Sequence, residues 1–492
     1  MQTSIPNWLM QRAFLTPERI AVYDGQGKKT FMELHESVMK RARQLANTGV
    51  RKGDIVAVFM KNSVAMIECI HALHYIGAIV LLQNTRLTSH ELAWQLKDSG
   101  AVYVIADDEL ADRIEGNIRV ITMSELSALP EENVEFQQYY HFDDIATIMY
   151  TSGTTGKPKG VLQTYENHWW SAIGSVLNLG LNENDCWLAA VPFFHISGLS
   201  IMMRSVIYGM SMYVMRAFDA KKANELIIGG KVTIMSVVSA MLQKMIADLG
   251  ERRYPETFRC MLLGGGPAPK PLLEVCKAKG IPVYQTYGMT ETASQIATLA
   301  PEYSLTKLGS AGKPLFPSQL RIEKDGQVAR PYEPGEIVVK GPNVTKGYLH
   351  RPDATAKAIR GGWFYTGDIG YIDEDGFLYV LDRRSDLIIS GGENVYPAEI
   401  EAVLLSHESV EEAGVIGIDD ETWGQVPCAF VKRKRGYSVT VEQLKQFCQA
   451  HLAKYKIPKQ IYFVDELPRN ASQKLLRHQL KQLIPNNENG AL

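Results

Sequence analysis

Ten consecutive residues, Thr151-Ser152-Gly153-Thr154-Thr155-Gly156-Lys157-Pro158-Lys159-Gly160, bring together hydroxyls, glycines and two lysines. Glycine backbone can turn successive N–H groups inward as an anion nest, the Ser and Thr hydroxyls add donors, and Lys157 and Lys159 supply countercharge. That is chemistry for holding a polyphosphate. It is not the nucleotide-triphosphatase loop GxxxxGK[ST]: position 151, where the first glycine would stand, is Thr, and Lys157 is followed by Pro158.

Short apolar and β-branched runs abut the loop at 146–150 and 161–164, so two strands are expected to hold it. Around them, residues 1–145 alternate helical and strand patterns: helices are expected at 31–48 and 64–76, strands at 55–59 and 78–82. The alternation resumes over 166–300, with helices at 220–228 and 240–249 and strands at 233–236, 260–263 and 283–286. After about residue 308 the texture becomes short strands separated by Gly, Pro and Asp turns, which predicts a small β-rich subdomain. The charged run Asp382-Arg383-Arg384-Ser385-Asp386 precedes a helix expected at 398–405, and the domain boundary is placed there. The reading is an α/β protein: a large layered unit over 1–384 that includes the β-rich part, and a small α+β lid over 385–492. The basic run Lys432-Arg433-Lys434-Arg435 reads either as a solvated strand edge or as a contact to a phosphorylated ligand.

The loop resembles the signature of the acyl-adenylate-forming superfamily, which includes acyl-CoA synthetases, luciferases and the adenylation domains of peptide synthetases. The resemblance implies that Thr151, Ser152, Gly153, Thr154, Thr155, Gly156, Lys157 and Lys159 grip the β- and γ-phosphates of ATP. Tyr287-Gly288-Met289-Thr290-Glu291 resembles a second family motif beside the nucleotide. Tyr287 offers adenine a flat face, Gly288 permits close backbone approach, Thr290 can donate to the α-phosphate, and Glu291 is a carboxylate suited to Mg2+. Asp368, in Tyr365-Thr366-Gly367-Asp368, matches the family aspartate that accepts from the ribose hydroxyls, and Arg383 the arginine that assists it. Ser385 takes the hinge position, where the family usually has Asp or Lys, and Lys474 matches the C-terminal catalytic lysine, although Gln473 replaces the glycine usual before it. By the same resemblance Gly264, Gly265 and Gly266 wall the acid and adenine pockets. Position 195 gates the acid site, with a core histidine the other reading of His195. Ser197 and Gln295 are further candidate donors to the acid, while the cation for a second substrate carboxylate is not identifiable from sequence.

The similarity is not confined to these motifs. PNWLMQRA near the start, QNTRLT at 83–88, HISGLS at 195–200, LLGGGPAP at 262–269 and LPRNASQKLLR at 467–477 extend it over the whole chain, toward the aromatic-acid CoA ligases of menaquinone synthesis. That implies ATP and coenzyme A as co-substrates, Mg2+, and an aromatic dicarboxylic acid as substrate. A fatty-acid or hydroxycinnamate ligase is the alternative within the superfamily, and a nucleotide-binding protein without chemistry the alternative outside it. The bulk properties agree: 492 residues, 46% hydrophobic, 22% charged, with a net charge of −2, give no electrostatic footprint for nucleic acid. Six cysteines without CxxC spacing read as reduced core residues, and no apolar run has the length to cross a bilayer. The expectation is a cytoplasmic enzyme, compatible with a homo-oligomer.

Overall fold

Strands buried on both faces read as continuous apolar runs because neither side meets water. Ile55–Phe59 and Cys260–Leu263 are of this kind, and each forms where expected. The computed structural model describes residues 3–151, 158–266, 268–383, 386–390, 393–420, 423–452, 454–469 and 475–485; of 382, 383, 389, 393, 394 and 424 only the backbone is described.

The first sheet has seven strands in the order Gly347–Tyr348, Lys159–Thr164, Ile145–Thr151, Ile79–Leu82, Ile55–Phe59, Tyr103–Ala106 and Arg119–Thr122. Ile145–Thr151 is the switch: it runs parallel to Ile79–Leu82 on one side and antiparallel to Lys159–Thr164 on the other. Successive side chains of a strand point to opposite faces. Val56 and Val58 therefore enter the main core with helices Phe31–Asn47 and Val64–Ile76, while Ala57 and Phe59 pack with Leu92 and Leu96 on the other face. Phe31–Asn47 starts at a capping box, in which Thr30 Oγ1 accepts from the Glu33 N–H at 3.1 Å and the Glu33 carboxylate from the Thr30 N–H at 2.7 Å.

A second, longer path runs parallel from Ile20–Tyr23 through Ser211–Val214, Cys186–Ala189, Ile234–Val237 and Cys260–Leu263 to Val283–Met289. It then turns antiparallel through Ser294–Leu299 and Ser310–Pro314 into Leu378–Arg383 and Trp363–Ile372. The β-rich segment after residue 308 is thus hydrogen-bonded into this sheet rather than set apart from it, although it keeps a core of its own around Ile322, Ile337, Val339, Phe364 and Leu378. The strand expected over 283–286 runs three residues further and carries Tyr287, Gly288 and Met289.

Beyond residue 386 a separate sheet forms from Ile388–Ser390, Glu393–Val395, Val410–Asp420, Gly424–Arg433 and Gln460–Phe463. Helices Pro397–Leu405 and Val441–His451 cover it, with Ile400, Leu404, Leu444 and Cys448 in its core. All six cysteines are buried and unpaired. Among the described residues no helix is long and apolar enough to cross a membrane.

Candidate active site

Thr151 and Lys159 are directly paired across the hairpin, so the strands run up to the two ends of the loop. Residues 152–157 lie outside the described residues. Both feet of the hairpin are braced by the segment 347–351. Lys159 Nζ sits 5.0 Å from the centre of the Tyr348 ring, a cation–π contact, and the Leu349 N–H donates to the Gly160 carbonyl at 2.8 Å. On the other foot Tyr150 donates to Asp98 at 2.7 Å, and Asp98 also receives Arg351.

The same segment reaches the second motif. Tyr348 Oη donates to Glu291 Oε1 at 3.1 Å, and the Thr345 N–H donates to the Glu291 carbonyl at 2.7 Å. Lys159, Tyr348 and Glu291 therefore stand in line, so the phosphate hairpin and the expected metal carboxylate, 132 residues apart in sequence, are neighbours.

Thr290–Thr292 is a 3-10 turn, and it opens into strained backbone: Ala293 and Ser294 have φ of 50° and 104° without being glycine. Such conformations persist where surroundings over-determine them. Here Thr292 Oγ1 accepts from the Met289 N–H at 3.0 Å and donates to the Ser294 carbonyl at 2.7 Å, Asn343 Nδ2 donates to the Thr292 carbonyl at 3.0 Å, and Ser171 Oγ donates to the Ala293 carbonyl. Gly288 is required by this folding back, since a Cβ there would stand 1.9 Å from the Ser294 carbonyl oxygen. The motif glycine thus serves the turn as much as any ligand.

Tyr287 Oη donates to Asp368 Oδ2 at 2.7 Å, which joins the expected adenine shelf to the expected ribose acceptor. Asp368 is nearly buried, and its Cα partner across the antiparallel ladder is Arg383, so the two expected ribose residues are cross-strand neighbours. Of Arg383 only the backbone is described.

On the acid side, Gly265 takes φ +84° at the end of Cys260–Leu263, in the turn expected between Gly264 and Gly266. His195 is the N-cap residue of helix Ile196–Tyr208 and packs edge-on against Phe194, with ring centres 4.7 Å apart. Burial, reinforced by the Arg86 charge, pushes its pKa down to about 4, so the ring is neutral at pH 7. Ser197, in the first turn, is exposed. Gln295 is buried in strand Ser294–Leu299, and its Oε1 faces Arg204 Nη2 at 3.4 Å.

Arg204 was not among the residues singled out by type and spacing. It is 1% exposed, its guanidinium lies 5.1 Å from the Trp187 ring centre, its Nε has no hydrogen-bond partner, and it has no carboxylate partner among the described residues. The signal was present: Arg204 is the one charged residue in the largely buried helix Ile196–Tyr208. Tyr348 and Gln163 were missed as well, because a lone Tyr or Gln in a strand carries no chemical signature.

Lys474 and the hinge position Ser385 lie outside the described residues. The chain on either side of 470–474 is described and is held at both ends. Arg469 and Leu475 form an isolated bridge, with Arg469 Nε donating to Glu412 Oε2 at 2.9 Å. Arg477 donates to Glu401 Oε1 and Oε2 at 3.1 and 2.7 Å and to Asp386 Oδ2, next to the hinge position, at 3.2 Å.

The geometry suits a nucleotide-linked magnesium site. Among the described residues no cluster of three or more His, Cys, Asp or Glu could hold a metal by itself. Magnesium keeps several waters and binds through one or two carboxylates plus substrate phosphates, which is what a single carboxylate at Glu291 beside a phosphate hairpin offers.

Residues 9–349 match the AMP-binding enzyme family and residues 399–474 its C-terminal domain. The 2-succinylbenzoate–CoA ligase of Geobacillus sp. (strain WCH70) is 99% identical over 492 residues, all of both chains. The o-succinylbenzoate CoA synthetase of Bacillus subtilis in complex with its acyl-adenylate intermediate superposes with a TM-score of 0.93 at 52% identity, covering 97% of this chain and 98% of that one. The same synthetase with ATP and magnesium ion gives 0.92 at 52% identity, covering 97% and 100%. With a matching profile over most of its length and near-identity to a curated relative end to end, the chain belongs to the AMP-binding enzyme family, in the branch of the 2-succinylbenzoate–CoA ligases.

Proposed function

We propose that the protein joins 2-succinylbenzoate to coenzyme A at the expense of ATP, through an acyl-adenylate, and that Arg204 carries its preference for a dicarboxylate. The activity rests on near-identity over the full chain. The preference rests on one observation: a guanidinium 1% exposed with no carboxylate partner among the described residues. Burying a charge without an opposite charge is costly, and Arg stays protonated even when burial lowers its pKa, as it does here. A site of that kind is completed by an anion. The ring carboxylate of the substrate is the anion the reaction supplies, and a fatty acid has none to give.

The other carboxylate does the chemistry. Carboxylate oxygen is a poor leaving group, so the acid must first be joined to AMP. In our reading the succinyl carboxylate attacks the α-phosphorus in line, with His195 and Gly264 bordering its path and Thr290 donating to an α-phosphate oxygen. Tyr287, Gly265, Gly266, Gly288 and Met289 enclose the base, while Asp368 with Arg383 accepts the ribose. Lys474 stabilises the charge that grows on the α-phosphate, and the 151–159 loop receives the departing pyrophosphate. Magnesium, held through Glu291, would offset phosphate charge during that departure. The thiol sulfur of coenzyme A then attacks the acyl carbon, AMP leaves, and a proton is released to solvent. The two half-reactions need different neighbours at one acyl carbon, so a unit beginning at Ser385 and carrying Lys474 turns between them. Six buried, unpaired cysteines fit a reducing, cytoplasmic setting.

Pyrophosphate release measured with 2-succinylbenzoate, 4-oxo-4-phenylbutanoate, a long-chain fatty acid and a hydroxycinnamate, each with coenzyme A, tests both parts. The parent enzyme should prefer 2-succinylbenzoate. Arg204→Met should lower kcat/KM for it by about 100-fold, the scale of losing one partner of a buried ion pair, and leave the mono-acid 4-oxo-4-phenylbutanoate nearly unchanged. Equal loss on both acids would remove Arg204 from the pocket, and a parental preference for the fatty acid would sink the assignment.

A further inference from the structure

Three side chains with 2% exposure or less lie beneath the phosphate hairpin and are used by no step above: Thr147, Gln163 and His168. Thr147 and Gln163 are direct cross-strand partners in the two strands that carry the loop, and His168 stands in helix Tyr165–Leu179, which follows them. Gln163 Nε2 donates to the Thr290 carbonyl at 2.7 Å. An amide turned the other way would set two carbonyl oxygens against each other, so Oε1 must face Thr147. A carbonyl oxygen only accepts, which commits the single Thr147 hydroxyl proton to Gln163 Oε1 at 2.8 Å. Thr147 Oγ1 can then only accept from His168 Nε2, 2.8 Å away, and this fixes the imidazole as the Nε2–H tautomer.

We infer that His168, Thr147 and Gln163 form a one-way hydrogen-bond chain in which Gln163 is the positioning residue that couples the phosphate hairpin to the Thr290–Glu291 turn. The inference rests on the roles proposed above for Thr290 and Glu291. The Thr290 carbonyl belongs to the peptide that joins those two residues, so rotation of that plane would swing the α-phosphate donor and the metal carboxylate together. The Ala293 N–H holds the same carbonyl at 3.1 Å from within the turn. Gln163 is the tie from outside, and it comes from the strand that leads out of the loop. Burial lowers the His168 pKa to about 3, so the donor sequence stays the same across any assay pH near neutrality.

The test is ATP–pyrophosphate exchange in Thr147→Val, Thr147→Ser and Glu291→Gln, each with a thermal melt. Thr147→Val keeps the shape and breaks both bonds. Its exchange kcat should fall by about 100-fold, the scale of a 1 Å misplacement, with the KM for the acid held within about twofold and the magnesium needed for half-maximal rate raised. Thr147→Ser, which keeps the hydroxyl, should retain most of the rate. Parental exchange in Thr147→Val beside a crippled Glu291→Gln would overturn the chain alone, and so would Thr147→Ser falling as far as Thr147→Val. Parental magnesium dependence in Glu291→Gln would overturn the roles beneath the inference instead. Should Thr147→Val fail to fold, the 15N spectrum of the parent decides: the Nε2–H pattern for His168 supports the chain, and Nδ1–H overturns it.

Discussion

The turn at Thr290–Ser294 and the flanks of the Lys474 segment are both held in place, but by different forces. Neutral hydrogen bonds from Gln163, Ser171, Thr292 and Asn343 pin the turn, and Thr292 and Asn343 are buried. The Lys474 flanks hang on Arg469 with Glu412 and on Arg477 with Glu401 and Asp386, all of them partly exposed. Neutral buried bonds are short-ranged and indifferent to salt, whereas exposed ion pairs are screened and easily remade. The first arrangement suits a site whose geometry must not change while a nucleotide is bound. The second would suit a segment that, under the proposed function, is presented for one half-reaction and withdrawn for the next.

The sharpest way to break this contrast is to remove the group on the movable side. Lys474→Ala should reduce adenylation by about 100-fold or more, the loss expected for a transition-state donor, while thioester formation from supplied acyl-adenylate continues. Equal loss in the two half-reactions would place Lys474 with the fixed set. A smaller effect is expected one step back, at the anchor. Arg477→Met should slow adenylation by about 10-fold and weaken its salt dependence, since of the pairs that salt screens only Arg469 with Glu412 then remains. The parent rate should fall between low and high salt, and a salt-independent parent would mean that the ion pairs do not set the position of Lys474.

The fixed side has a counterpart measured in stability. His71, His74 and His168 are buried neutral, with pKa values lowered by desolvation to about 3, 4 and 3. In the unfolded chain they protonate near pH 6.5. Between that pH and about 4 the unfolded state binds more protons, so stability falls as pH falls, by up to about 1.4 kcal/mol per pH unit for each histidine, and levels off above pH 6.5. His71→Phe should shallow the slope of melting temperature against pH in this range. An unchanged slope would assign acid sensitivity to carboxylates elsewhere.

The motifs were legible because their chemistry is local. A run of Gly, Ser, Thr and Lys can build an anion nest from consecutive backbone units, so Thr151 and Lys159 stand out as candidates without knowing where the chain goes next. Helices 31–48 and 64–76 and strands 55–59 and 260–263 were equally readable, because period and caps are written within each segment. The β-rich part after 308 reads as a small subdomain of the large unit, and its strands are indeed short and turn-bounded. Its junction to the long sheet depends on Ser294–Leu299 and Ser310–Pro314 meeting side by side, which no local pattern encodes. Arg204 is a middle case: a lone charge in helix Ile196–Tyr208 is visible in the sequence, but its lack of a carboxylate partner among the described residues is not.

By its own order of residues, then, the chain marked a candidate polyphosphate loop and the adenylate motifs, and it determined the α/β layering and a resemblance strong enough to name the chemistry. Tertiary structure decided what those residues face. It set Lys159, Tyr348 and Glu291 in one line, gave Asp368 to Tyr287, left Arg204 buried beside Gln295, and joined His168 to Thr290 through two strands. The physical reason is range. Turn chemistry and periodicity act over a few residues, while a buried charge or hydrogen bond takes its meaning from whatever the fold carries to within about 3 Å of it.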